Sequence, residues 1–474
     1  MVRKAAGSVD EVNNESEGFH RGLTNRHIQL ISLGGAIGVG LFLGSGRAIA
    51  HAGPGLILAY LIAGVAVFFI MRALGELTMH RAVSGSFATY AEQYVGPFAG
   101  FATGWSYWFV WITAGIAEMT AIGIYTHYWF PGIPQWVPAL ATLAVLYACN
   151  LLSVKLFGEL EFWFAIVKIV TIVALLVAGP LVLAFGWGDI GRTASVSNLW
   201  SRGGFFPTGV LGVVTSLQIV IFAFAGVELL GVTAGEVSNP EKSLPRATNA
   251  IVWRIAIFYI GALLVIMMLM PWTEFSATES PFVKVFGLMG LPIAAGVINF
   301  VVITAAASSC NSGLFSTGRM LHTLAKQGQA PQALGRISRN HVPANGISVS
   351  VVTMLIGVAL NYFIPEQVFV YITSVSLVGV LWTWAMIMLS HLRYRGAVVR
   401  GEAKASAFRM PFAPYANWAV IAFLALIAVF LAFDEGTRIA LYVTPIWFGI
   451  LAIGYRASRR SPTSHMPVSE LKKL

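Results

Sequence analysis

From residue 27 to residue 456 the chain is a succession of apolar runs, many of 18 residues or more. Runs of that length match the ~20 residues a helix needs to cross a hydrocarbon core of ~30 Å. Twelve such spans are expected, at about 27–50, 54–79, 98–128, 135–157, 160–185, 209–236, 249–271, 284–323, 347–364, 367–391, 415–433 and 438–456. Only 11% of the 474 residues are charged and 57% are hydrophobic, too few charges to cover a soluble protein of this length. The expected fold class is an all-α polytopic membrane protein with short loops and no separate soluble domain.

Lysine and arginine sort the loops into two sets. One set carries Arg21, Arg26, Lys155, Lys242, Arg246, Arg319, Lys326, Arg336, Arg339, Arg393, Arg395, Arg409, Arg456, Arg459 and Arg460; the other offers little beyond Arg47, Arg192, Arg202 and Arg438. The first set, with both termini, is expected to be cytoplasmic, and the net charge of +10 is a topology signal. A nucleic-acid partner is excluded, because no soluble face interleaves basic and aromatic residues. Residues 1–26 are polar, so no removable signal peptide is expected there. Cys149 and Cys310 fall inside spans and read as small core residues. The nine histidines lack metal-ligand spacing, and neither a metal nor a cofactor is called for.

Two spans look interrupted. GGAIGVGLFLGSG, Gly34 to Gly46, places six glycines in the first crossing, where each weakens a helix. Gly34, Gly38 and Gly44, or Gly40 and Gly44, suit a close-packing seam. Two glycines two residues apart cannot both face one neighbour, however, so Gly38 and Gly40 favour an unwound turn. In the sixth span, SLQIVIFAFAGVELLGVTAGE sets Gly226 and Glu228 mid-crossing. Interruptions at the start of two five-span blocks point to an inverted repeat. The blocks would be 27–185 and 209–391, joined by an extracytoplasmic loop at 186–208. A cytoplasmic loop at 392–414, two appended helices at 415–456 and cytoplasmic tails at 1–26 and 457–474 complete the chain. Unwound turns expose amides that attract an anion and carbonyls that attract an ammonium. A zwitterionic amino acid has that shape.

Ionisable residues near the bilayer centre cost about 2.5–3.5 kcal/mol on insertion scales and are functional candidates. Lys168, in EFWFAIVKIVTIV, either couples transport to protons or snorkels to the interface. Charged, it would replace a sodium ion and bridge the first and eighth spans; neutral, it would release them. Glu118 in the third span either meets the substrate amine or relays a proton, or else is tied to neighbouring polar groups. Glu228 organises the sixth-span turn or a solvent path. Glu236 is expected to pair with Arg246, and Glu76 sits close to Arg72; both look structural. Phe222 and Phe224 flank the sixth-span break as candidate gates, whereas Trp382 and Trp384 read as packing.

RGLTNRHIQLISLGGAIGVGLFLGSG, the AGP of Ala52 to Pro54, MRALGEL, FGELEFWFAIVKI, GVELLGVTAGEVSNPEKSLPRA and SSCNSGLFSTGRML resemble the bacterial amino acid transporter branch of the amino acid–polyamine–organocation superfamily. The resemblance covers about residues 20–456. It implies a LeuT-type fold of five plus five helices with two appended, and proton-coupled import across the bacterial inner membrane. It implies that Ile37, Gly38, Val39 and Gly40 bind the substrate carboxylate. Ile221, Phe222 and Phe224 then hold the amine and the gate, and Lys168 couples the proton. GGAIGVGLF, GELEFWFAIVKI and residues 290–321 are most similar to the D-serine/D-alanine/glycine type, and the threonine/serine and proline types share much of the pattern. AGIAEMTAIG, with Glu118, is closer to the threonine/serine type. A small neutral amino acid and protons are the expected partners, with no catalytic residue. A channel would need a continuous polar path and a sensor a soluble output domain; sodium coupling and proton-uncoupled exchange are the nearer alternatives.

Overall fold

The computed structural model describes residues 37–460 apart from 82, 84, 153, 234–239, 277–278 and 291–292. The expected tail at 1–26, residues 461–474 of the tail expected at 457–474, the start of the first span and Glu236 lie outside the described residues, while 457–460 end the last helix. Among the described residues the chain is all-helical. The first block comprises α1 (Val39–Phe42), α2 (Gly44–Ala52), α3 (Leu56–His80), α4 (Ser86–Tyr94), α5 (Pro97–Thr126), α6 (Trp136–Leu152) and α7 (Val154–Phe185). The second comprises α8 (Gly209–Phe224), α9 (Leu229–Thr233), α10 (Pro240–Arg254), α11 (Ala262–Leu269), α12 (Pro281–Leu288), α13 (Ala294–Lys326), α14 (Ala344–Phe363) and α15 (Val368–Val399). The last two are α16 (Tyr415–Phe430) and α17 (Ile439–Arg460).

Among the described residues, eight helical stretches are long and apolar enough to cross a membrane, and α6, α8 and α16 are shorter apolar helices. The stretch Gly44–His80 holds two of the expected spans, because Gly53 (φ +57°) and Pro54 separate α2 from α3. Several features differ from the sequence reading. The eighth span starts at Ala294 instead of 284, since the chain leaves α12 at Met289 and takes a left-handed turn at Gly290 (φ +79°). The tenth runs on from 391 to Val399. The loop after the second span contains α4, a short helix with no counterpart in the expected spans.

Helix packing largely follows a five-span spacing. Spans one and six touch each other, through α8 against α1 and α2. Span three packs on span eight (α5 on α13), span four on nine (α6 on α14), and span two on seven (α3 on α10 and the π-helical Ile255–Gly261). Span five rests on eight (α7 on α13) as span ten rests on three (α15 on α5). The core therefore sits around α5, α13 and α15. Outside it, α16 leans on α15 and α3, and α17 on α15 and α5, so α17 keeps one of the most exposed faces.

One end of the bundle is clamped by a buried carboxylate. Glu76 of α3 accepts from His391 Nε2 (2.9 Å), Arg395 Nη2 (3.1 Å) and the Met410 amide (2.6 Å), and pairs with Arg395 Nε at 2.7 Å. Asn417 Nδ2 donates to the Met388 carbonyl and to His391 Nδ1, leaving Nε2–H to face Glu76. This corrects the expected neighbour: Arg72, four residues earlier, instead reaches Asn249 and the Arg409 carbonyl and lies over the Phe408 ring at 3.8 Å. A carboxylate that joins α3, α15 and the 400–414 loop leaves stranded donors when removed. Glu76→Ala should lower unfolding stability by about 3–5 kcal/mol, read as a fall in the thermal midpoint in detergent. A midpoint unchanged from wild type would show the clamp to be dispensable.

Candidate functional site

The sixth span breaks at a turn that its sequence dictates. Ala225 (φ −58°, ψ 140°) precedes Gly226 (φ +99°), the geometry of a type II turn, and Val227 N–H closes it on the Phe224 carbonyl at 3.4 Å. Only glycine adopts that φ without strain. The turn strands backbone groups that a continuous helix would pair, and side chains take them up. Both carboxylate oxygens of Glu228 accept the Gly226 amide at 3.2 Å, and Trp384 Nε1 of α15 donates to Glu228 Oε2 at 3.2 Å. The Tyr259 hydroxyl, from the π-helical turn of span seven, donates to the Ala223 carbonyl at 3.2 Å. Glu228 thus organises the turn, as one of its two sequence readings held. Trp384 does more than pack.

The first span begins its described helix at the opposing point. Gly38 is extended (φ −124°, ψ −159°) and caps α1, its carbonyl accepting from Leu41 and Phe42. The next amide, of Val39, donates to Glu118 Oε2 at 3.4 Å. Crowding against backbone requires glycine at Gly40, whereas at Gly38 a side chain would have to displace the Glu118 carboxylate. A Cβ on Gly38 would lie 2.6 Å from Glu118 Oε1, and one on Gly40 would lie 2.6 Å from the Ala223 Cα. Spans one and six therefore meet backbone to backbone at Gly40 and Ala223.

Between them lies a cavity of about 20 Å³, little more than the volume one water occupies. It is lined by Gly38 and Gly40 of span one, Phe222 and Gly226 of span six, Trp111 and Glu118 of α5, and Ser309 of α13, with Val110, Ala114, Ala223 and Ala225 completing the wall. Trp111, Ala114 and Glu118 recur at i, i+3 and i+7, one face of α5. Trp111 and Ser309 were not singled out in the sequence, although that spacing marks Trp111. Its indole N–H has no hydrogen-bond partner among the described residues.

Not every candidate reaches this cavity. Ile37 and Ile221 are buried in the core beside it. Of the two candidate gate rings only Phe222 lines it, because residues two apart point to nearly opposite sides of a helix. Phe224 instead packs edge-on against Tyr60 (5.6 Å) and close to Tyr259 (4.9 Å). Lys168 lies across α13. It is fully buried and its Nζ donates to Ser308 Oγ at 2.9 Å, next to the Ser309 of the cavity wall. The eighth-span contact expected of Lys168 is therefore present, and a snorkelling lysine would not be buried. Ser308 Oγ donates in turn to Glu161 Oε2 at 2.7 Å, bringing in a buried carboxylate that the sequence reading passed over.

With this arrangement in view, the comparisons are decisive. The amino acid permease family model matches residues 27–468. The chain belongs to that family. The permease is 52% identical to the amino-acid permease AapA of Bacillus subtilis over 446 residues, covering 94% of this chain and 96% of that one. It is 49% identical to a probable threonine/serine transporter, YbxG, of the same organism over 436 residues (92% and 94%). It is 46% identical to the D-serine/D-alanine/glycine transporter of Escherichia coli K12 over 458 residues (96% and 97%). The permease is thus a multi-pass membrane protein of a transporter family and not an enzyme.

Because Glu228 holds the sixth-span turn, weakening it should loosen the permease at that point. Glu228→Gln and Trp384→Phe each remove part of a charge-assisted set, and a loss of about 1.5–3 kcal/mol is expected for either. Hydrogen exchange at residues 223–230 should speed up in both variants. Unchanged protection would separate Glu228 from the turn.

Proposed function

We propose that the permease imports small neutral amino acids, namely glycine, alanine and serine, with D-forms among them, together with protons by alternating access. The observation that carries this reading is the cavity where the two interrupted spans meet. A backbone amide, a buried carboxylate, an unused indole N–H and an aromatic ring converge there without any fixed positive side chain. That set suits a solute bearing its own carboxylate and ammonium. The Val39 amide serves the substrate carboxylate, displacing the long bond from Glu118, and the freed Glu118 faces the substrate amine. Phe222 closes over the solute. The small cavity volume selects small side chains and makes opening a precondition of entry.

Proton coupling rests on Lys168, buried against the α13 turn that also forms the cavity wall. A fixed ammonium there takes the place of a bound sodium ion. The pairing of spans one to four with spans six to nine, and of five on eight as ten on three, supports two inverted repeats, 27–185 and 209–391, as the halves that rock. Lysine and arginine asymmetry supports cytoplasmic termini and an inner-membrane orientation. A threonine/serine preference is the second reading, favoured by AGIAEMTAIG around Glu118 and by the name of one relative.

In proteoliposomes, unlabelled D- and L-amino acids competing against radiolabelled alanine, with and without a pH gradient, test both substrate and coupling. Glycine, alanine and serine should compete best, and indifference to every small neutral amino acid would refute the substrate class. Gly38→Val should cut substrate affinity by about 1–3 kcal/mol through overpacking, with folded protein retained; wild-type affinity would remove span one from the site. Lys168→Ala should abolish gradient-driven accumulation. Uphill uptake with unaltered pH dependence in that variant would refute the coupling role.

A further inference from the structure

Glu161 stands seven residues before Lys168 on α7, so both side chains leave the same face of the helix. It is as buried as the lysine. The hydrogen bonds around it have a polarity that can be traced from a fixed end. The Leu146 carbonyl is an acceptor only, and Asn150 Nδ2 donates to it at 2.9 Å. That orients the Asn150 amide, whose Nδ2 also donates to Asn311 Oδ1 at 2.8 Å. Asn311 must then present Nδ2, which donates to Glu161 Oε1 at 2.9 Å. On the other side Lys168, as an ammonium, can only donate. Ser308 Oγ accepts from it and passes its own hydrogen to Glu161 Oε2. Both oxygens of Glu161 therefore accept, the arrangement of an ionised carboxylate.

We propose that Glu161 shares the coupling proton with Lys168 through the Ser308 hydroxyl. The inference rests on the proton-coupled reading above and extends it to a second residue. When Lys168 discharges, an N–H bond breaks and its proton goes to Ser308 Oγ, whose own O–H proton moves to Glu161 Oε2. An ammonium–carboxylate pair becomes an amine–carboxylic acid pair, with every proton accounted for. The Asn311 bond to Oε1 is untouched. Discharging Lys168 to water instead would leave Glu161 as a lone buried carboxylate, the costliest state for such a site. The other titratable groups facing this turn are Glu118, from α5, and the Cys310 thiol on α13 itself. Glu118 lies on the cavity side, beside Ser309, and Asn150 is the polar group that α6 contributes. Since Ser308 and Ser309 are adjacent on α13, any shift of that turn that admits substrate also stretches the relay.

The test uses the full-length protein in proteoliposomes, with radiolabelled alanine as the probe and two readouts: accumulation driven by an inward proton gradient, and counterflow without a gradient across a range of pH. Glu161→Gln and Ser308→Ala should each lose accumulation by about tenfold or more, as expected when a charge-assisted bond is removed. Counterflow should persist with a flattened pH profile, and Ser308→Thr, which keeps the hydroxyl, should restore both. Accumulation and pH profile unchanged in Glu161→Gln, with Lys168→Met inactive in accumulation, would overturn the shared proton while leaving coupling at Lys168 intact. Uphill accumulation in Lys168→Met would bring down the coupling reading itself. Should Glu161→Gln fail to fold, Ser308→Ala, which keeps both charges and cuts the path between them, decides the matter. A flattened pH profile in it supports the relay, and a wild-type profile overturns it.

Discussion

A helix that stops inside a bilayer must hand its unpaired amides and carbonyls to protein, because no water is there to take them. Much of the centre of this permease follows from that requirement. The Gly226 amide goes to Glu228, the Ala223 carbonyl to Tyr259, and the Val39 amide to Glu118. Glu228 lies in the sixth span itself and brings in Trp384 of α15, while Glu118 and Tyr259 come from α5 and the seventh span. Two of the three buried carboxylates of the centre, Glu118 and Glu228, are thus backbone acceptors first, and whatever chemistry they perform begins from that position.

The remaining polar interior is organised by one turn of α13. Ser308 faces the lysine and Glu161, and Ser309 faces the cavity. Consecutive residues on a helix diverge by about 100°, so a single turn addresses two compartments without any side chain crossing between them. Small residues make this possible: Ala305, Ala306, Ser308 and Ser309 leave room for α5 and α7 to approach on either side.

Much of this could be read in the chain before its fold was known, and the failures have physical causes. Gly226 announced the sixth-span turn, and Gly38 and Gly40, open to a packing or an unwinding reading, fall where span one meets span six. Lys168 and Glu118 stood out as charges in hydrocarbon. Glu161 was passed over, because it fell at the first residues of the span expected at 160–185; α7 begins earlier, at Val154, and carries it inside. Glu76 was matched to Arg72 by nearness in sequence, whereas its partners come from more than 300 residues away. Phe222 and Phe224 looked equivalent as a pair, and only the helical angle between them tells which one meets the cavity.

The seventh span supplies a last consequence. Its π-helical turn presents Tyr259 so that the phenol bonds the Ala223 carbonyl while the ring rests on Phe224 and Tyr60. The joint in span six and the wide turn in span seven are thereby meshed like two cogs. Neither can rotate on its own axis without stripping a hydrogen bond and an aromatic contact together.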